Sequence, residues 1–222
     1  MLRPVAGWRT EDRTDEPRGP LDPVGRDAGI RIADLPYDRR MTTVDLLHAG
    51  YTGARTASTV VLVRDGDATI IVDPGMVARR SLILDPLAEL DVAAEAVTHI
   101  FLSHHHPDHT VNCALFPNAE IVDFWARYRD DLWLDHDGDG YHLAPRSQLW
   151  LTPGHSEEDI TLIVEADDAV YAMTHLWWHT DRTPEIDPFA SDQAALERGR
   201  ERVLAAADIV IPGHGAPFRI RG

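Results

Sequence analysis

From about residue 41 onward, short apolar runs rich in β-branched residues alternate with segments of helical spacing. Thr59 to Val63 and Ala68 to Val72 are two such runs, and the Arg64-Asp65-Gly66-Asp67 between them predicts a hairpin, because an Asp-Gly pair suits a tight turn. Leu82 to Leu90 has helical spacing, and Val97, Ile100, Phe101 and Leu102 predict a buried strand after it. A helix between two strands implies a βαβ unit, hence layered α/β architecture. Ala119 to Val122 and Gln148 to Leu151 predict further strands, and Phe124 to Trp133, which mixes aromatic and charged residues, predicts a helix or loop near the mouth of a site. Ile160 to Val164 and Ala169 to Met173 predict a second hairpin, turning at Ala166-Asp167-Asp168. Ser191 is a candidate N-cap for a helix reaching about Ala206, with Leu196, Val203 and Leu204 on its buried face, and Ile209 to Ile211 predict a last strand.

Residues 1–40 break this rhythm. They are rich in Arg, Asp, Glu, Pro and Gly with scattered apolar positions, so little burial is available to offset the entropy of ordering them. The expected organisation is a loosely ordered arm over 1–40 and one domain over 41–222. A homodimer in which the arm packs on a partner subunit is compatible with this reading.

Composition narrows the function classes. A formal charge of −16 repels phosphate backbones over most of the surface, so nucleic acid is disfavoured as a partner, although a local basic rim would leave room for it. Cys113 is the only cysteine and permits no internal disulfide; it reads as a small apolar residue rather than a nucleophile. No apolar run approaches the roughly 18 residues of a membrane helix, and residues 1–30 lack a signal-peptide core. The expectation is a soluble cytoplasmic protein with a small-molecule substrate.

The chemistry concentrates where the strand of Val97 to Leu102 ends. Four histidines and an aspartate fall within His104-His105-His106-Pro107-Asp108-His109. On an extended segment alternate side chains share a face, so His104 and His106 can hold one ion. Pro107 stops the strand, and the following turn can swing Asp108 and His109 toward a second ion. Thr152-Pro153-Gly154-His155 ends another strand, and His155 can complete a three-histidine site that leaves a position open for water. Asp135 to Gly140 opens like a calcium loop, but Arg146 stands where a bidentate glutamate is required, so it reads as a polar turn.

With these motifs the chain resembles the metallo-β-lactamase-fold hydrolases from about Val44 to Phe218. Val72-Asp73-Pro74-Gly75, the histidine cluster, Thr152-Pro153-Gly154-His155 and Pro212-Gly213-His214-Gly215 occur in the family's order. The stretch from Ser191 to Phe218 is similar to the group around metallo-β-lactamase domain-containing protein 1, which implies a compact version of the fold with a nuclease activity attributed to its vertebrate member. The resemblance implies an α/β, four-layer αββα sandwich, two mixed β-sheets with outer helices and a site at one edge. It also implies that Asp73 lies beneath the site and orients ligands, and that His214 joins Asp108 and His109 on a second metal. In the family a Gly-Asp pair supplies an aspartate that bridges both metals; here the corresponding pair is Thr174-His175.

An imidazole offers one lone pair where a carboxylate spans two cations, so His175 alters the expected metal count. The outcomes are a pair of ions bridged only by hydroxide, one ion, or a His175 that points elsewhere. Imidazole-rich ligation favours Zn2+, one or two per chain. The leading expectation is a metallo-hydrolase in which zinc-bound hydroxide attacks an ester, thioester, lactone or phosphoester, with Asp108 both ligating metal and orienting the water. Trp177, Trp178 and His179 are candidates for the substrate pocket, His179 also as a stand-in ligand or proton shuttle. An iron-dependent redox enzyme of the same fold, or a non-catalytic metal-binding module, are the alternatives.

Overall fold

The computed structural model describes residues 41–179 and 186–220. The arm expected over residues 1–40 lies outside the described residues, as does most of Asp181 to Asp187, a polar, proline-bearing stretch whose sequence predicts a loop over the site.

Two sheets face each other. The first has seven strands in chain order: β1 (Thr43–His48), β2 (Val60–Asp65), β3 (Ala68–Val72), β4 (His99–Phe101), β5 (Glu120–Val122), β6 (Arg127–Arg129) and β7 (Leu132–Leu134). The second comprises β8 (His142–Ala144), β9 (Ser147–Leu151), β10 (Ile160–Glu165), β11 (Val170–Thr174), β12 (Ile209–Pro212) and β13 (Phe218–Arg219), and its six strands lie in the order β13-β12-β11-β10-β9-β8. β3, β4 and β5 are parallel neighbours, as are β11 and β12, and the other pairs are antiparallel, so both sheets are mixed.

The apolar runs explain the layering. Val61, Val63, Ile70 and Val72 pack against Leu149, Leu162, Met173 and Ile211 between the sheets. The alternate residues Leu62 and Ile71, with Ile100, face outward onto Ile83 and Leu87 of helix α1 (Ser81–Glu89). A short helix α2 (Pro107–Thr110) follows β4. Helix α3 (Gln193–Ala206) lies on the other side, where Leu196 and Val203 pack on Ile163, Ala172 and Val210. Both faces of the central strands are therefore apolar, as covered sheets require, and each buried Ile or Leu stabilises by about 1.5–3 kcal/mol. This is the αββα sandwich that the resemblance implied.

Three local expectations are corrected. Phe124 to Trp133 is neither helix nor loop but the hairpin start β6 to β7, because Arg127-Tyr128-Arg129 pairs across Leu132-Trp133-Leu134 and the Asp123 carboxylate accepts from the Trp125 and Ala126 amides to set the bend. The first hairpin turns at Gly66-Asp67 alone: Asp65 stays in β2, since its buried carboxylate accepts from Thr42, Ser147 and the Arg146 amide. Asp192, not Ser191, caps α3, accepting from the Ala195 amide at 2.9 Å, while the Ser191 hydroxyl donates to the Gly154 carbonyl. A fourth expectation fails as well: Leu204, expected on the buried face of α3, is 40% exposed. Among the described residues no helix is long and apolar enough to cross a membrane.

Candidate metal centre

The strand directions gather the site. β3 and β4 run parallel, so Asp73 and His104 leave the first sheet at the same end. β9 and β11 are both antiparallel to β10 and β12 is parallel to β11, so His155, His175 and His214 follow ends that point one way. Ile160 donates to the Ser103 carbonyl and Thr59 to the Gly213 carbonyl, joining the two sheets at this edge.

The histidine cluster is shaped by its own sequence. Pro107 takes the first position of α2, where its missing N–H costs nothing, and the helix turns Asp108 and His109 back toward the centre. Gly75 is required beside them, because a Cβ there would stand 1.5 Å from the Asp108 carbonyl oxygen. Asp73, in the left-handed region at φ +49°, accepts from the Ser103 amide and hydroxyl, both at 2.7 Å, and from His109 Nδ1 at 2.8 Å.

His109, His155 and His214 each have one nitrogen held by an outer partner and the other facing the centre. A carboxylate or carbonyl only accepts, so Nδ1 carries the proton where His109 meets Asp73, where His155 meets Asp187 at 2.9 Å and where His214 meets the Ala57 carbonyl at 2.8 Å. Their Nε2 lone pairs then point inward, the arrangement that outer partners impose on metal-binding histidines. His106 Nδ1 lies 2.9 Å from His104 Nε2 and 3.3 Å from His155 Nε2. Asp108 Oδ2 lies 3.5 Å from His109 Nε2 and 3.6 Å from His214 Nε2. Two donor groups result, His104 with His106 and His155, and Asp108 with His109 and His214, the atoms of each within 4.8 Å of one another.

The electrostatics fit a cation. Burial, then the neighbouring imidazoles, hold His104 and His175 well below the usual histidine range. Burial pushes His214 down to about 4 and lowers His155 against the opposing pull of Asp187. Lowering favours the neutral imidazole of His104, His155, His175 and His214, the form that ligation requires. His109 Nε2 and His175 Nδ1 are buried without a hydrogen-bond partner, which a folded protein avoids unless something else answers them. These residues suit a divalent metal ion.

His175 sits in the middle. Its ring centre is 4.3 Å from that of His155 and 4.4 Å from that of His104, and its Nε2 is 3.2 Å from His214 Nε2. Gly213 makes the room, since a Cβ there would stand 2.2 Å from His175 Cδ2. With His104 and His109 it forms a third donor group. That group borrows one ring from each of the other two, and an imidazole lone pair serves one cation, so the central group competes with the outer pair.

The metallo-beta-lactamase superfamily model matches residues 53–220 of this fold and site. The chain belongs to that superfamily. Mouse metallo-beta-lactamase domain-containing protein 1 is 32% identical over 214 residues, covering 92% of this chain and 80% of the mouse protein. The human protein of the same name is 33% identical over 217 residues, covering 92% of this chain and 78% of its own. A solved N-acyl homoserine lactone hydrolase, with the product N-hexanoyl-L-homoserine at its catalytic metal center, matches with a TM-score of 0.59 at 18% identity, over 78% of this chain and 92% of that one. That likeness concerns the fold, which hosts many chemistries in this superfamily.

A cavity of about 730 Å³ opens onto His106, Asp108, His155, His175 and His214. Trp178 lines it, stacked on Phe189 at 5.5 Å with its Nε1 donating to Asp187. Trp177 does not join them: it packs on Phe218 in the cluster beneath α3, with Arg200 over its ring. His179 belongs to none of the three donor groups, and its Nε2 lies 2.7 Å from the Thr52 hydroxyl at the cavity wall. Asp187, Ser103, Thr52 and Phe189 escaped the sequence reading. Asp187 is one of several loop aspartates and nothing local distinguishes it, whereas Ser103 could have been suspected from its place beside His104.

Proposed function

We propose that this chain is a zinc-dependent hydrolase of a small ester, lactone, thioester or phosphoester. The observation that carries it is the convergence of ligand atoms from His104, His106 and His155 beside those of Asp108, His109 and His214, with His106, Asp108, His155 and His214 opening onto one cavity. These two triads would hold the metal. When bound, a divalent ion supplies a Lewis acid for the scissile oxygen and makes water nucleophilic at neutral pH.

The protein's own groups do the rest. Asp108 is the one carboxylate among the donors and its side chain is 19% exposed, so it reaches the cavity and can orient the attacking water and accept its proton. His179, whose Nε2 lies 2.7 Å from the Thr52 hydroxyl at the cavity wall, would return a proton through that hydroxyl to a leaving oxygen. Trp178 and Phe189 offer an apolar wall and exclude water from one side.

His175 supports a second reading of the stoichiometry, a single ion held by His104, His109 and His175, and the orphaned His175 Nδ1 favours it. Elemental analysis of untagged protein purified without added metal decides between them. Two zinc ions per chain, with chelator-sensitive ester or lactone hydrolysis, are expected of the outer triads; one zinc favours the central group. Iron as the dominant metal, or hydrolysis that survives complete metal removal, would overturn the proposal.

A further inference from the structure

A second cavity, of about 510 Å³, adjoins the metal centre, and Thr56 lines both. Its wall carries Arg55, Arg79 and Arg80, and no carboxylate is among the described residues that line it. That is unusual placement for a chain with 37 acidic and 21 basic residues, because arginines on an acidic surface ordinarily find acidic partners. Arg80 is instead positioned by a neutral acceptor, its Nε donating to Asn112 Oδ1 at 3.2 Å. Asn112 is itself fixed, donating through Nδ2 to the Gly75 carbonyl at 2.6 Å and through its amide to the Pro74 carbonyl. The same turn carries Met76, whose amide donates to the Asp108 main-chain carbonyl at 2.9 Å, so the segment that leads into the arginine wall is held against the backbone of Asp108. α1 begins here with no acidic residue in its first turn and no side-chain cap, which leaves the positive end of its dipole directed at the same space.

We propose that this cavity binds a terminal oxyanion of the substrate, a carboxylate or a phosphate, on Arg55, Arg79 and Arg80 while the scissile bond lies at the metal centre. The inference rests on the hydrolase reading and adds the substrate's charge to it. Guanidinium forks match planar or tetrahedral oxyanions through paired hydrogen bonds. A polyanion fits poorly, since beyond this cavity it would cross a surface of net charge −16.

The test compares two p-nitrophenyl esters on the metal-loaded full chain, neutral butyrate and anionic glutarate monoester, in the parent and in an Arg55→Ala, Arg79→Ala double variant. Both arginines are exposed, so the fold should tolerate their loss. The expected result is a KM for the anionic ester raised about tenfold or more in the variant, with kcat and the neutral ester's KM unchanged. Calorimetric titration with glutarate and with inorganic phosphate, needing no turnover, should show binding that the variant weakens, and the tighter of the two identifies the oxyanion. If neither ester is cleaved while arginine-dependent anion binding persists, the anion site stands and the hydrolase reading falls. Equal KM shifts for both esters, anion binding indifferent to the arginines, or arginine-dependent binding of a single-stranded oligoribonucleotide without small-anion binding would overturn the proposal.

Discussion

Four donors, His104, His106, Asp108 and His109, come from one six-residue stretch that runs from beyond β4 into α2, whereas His155, His175 and His214 come from three separate strand ends of the other sheet. The first set is carried by one stretch of chain, whose helix Pro107 starts, and is supported by the turn after the neighbouring β3, where Gly75 admits the Asp108 backbone and Asp73 accepts from Ser103 and His109. The second exists only because β9, β11 and β12 share a direction and register, with Thr174 opposite Pro212. Its rings are then steadied by partners from distant segments, Asp187 for His155 and the Ala57 carbonyl for His214. The candidate metal centre is thus half sequence motif and half tertiary assembly, and the two halves should fail differently.

Asp108→Asn should have the largest effect. The amide loses the charge and the proton-accepting oxygen, and kcat should fall by about 10²–10⁴ with the fold intact, read by steady-state kinetics beside circular dichroism. A smaller loss would remove Asp108 as the base.

The comparison sharpens with the two supporting aspartates. Asp73→Ala leaves the Ser103 amide and hydroxyl and His109 Nδ1 without their acceptor in a buried place. It should lower stability by about 2–4 kcal/mol and metal affinity by about 10–100-fold, measured by denaturant melts and competitive chelation. Asp187→Ala should cost a similar factor in affinity through His155, with a smaller stability loss, because its other contacts lie in a surface-near loop. If Asp187→Ala destabilised the fold as much as Asp73→Ala, the distinction between a local and an assembled half would not hold.

The smallest effect concerns Cys113, close behind Asp73. Burial, aided by the Asp73 charge, pushes its thiol up to about 12. Both influences penalise the anion, so the thiolate fraction is minute near neutrality and rises about tenfold per pH unit. Iodoacetamide alkylation should therefore climb from pH 7 to 10 without the plateau near 8.5–9 that a free thiol gives, and Asp73→Ala should speed it.

Much of the fold was legible in the pattern of β-branched runs, because a strand covered on both faces must be apolar throughout, as Val60 to Val63 is. The β6 to β7 hairpin was not, since its strands are three residues each and leave Trp133 67% exposed, so no burial marks them. Trp177 and Trp178 were indistinguishable in sequence, yet adjacent residues point apart and only one reaches the cavity.

By itself the sequence determined the chemistry of the donors and the local geometry of His104 to His109, because consecutive residues are held together by covalent spacing. It also determined that position 175 carries an imidazole, with one lone pair where a carboxylate has two oxygens to share. The tertiary structure alone decided that His175 stands among His104, His155 and His214, that Asp187 orients His155, and that three arginines from two loops line one wall beside the site. Those relations join residues far apart in the chain, and distance along a chain carries no information about distance in space until strand direction and register are set.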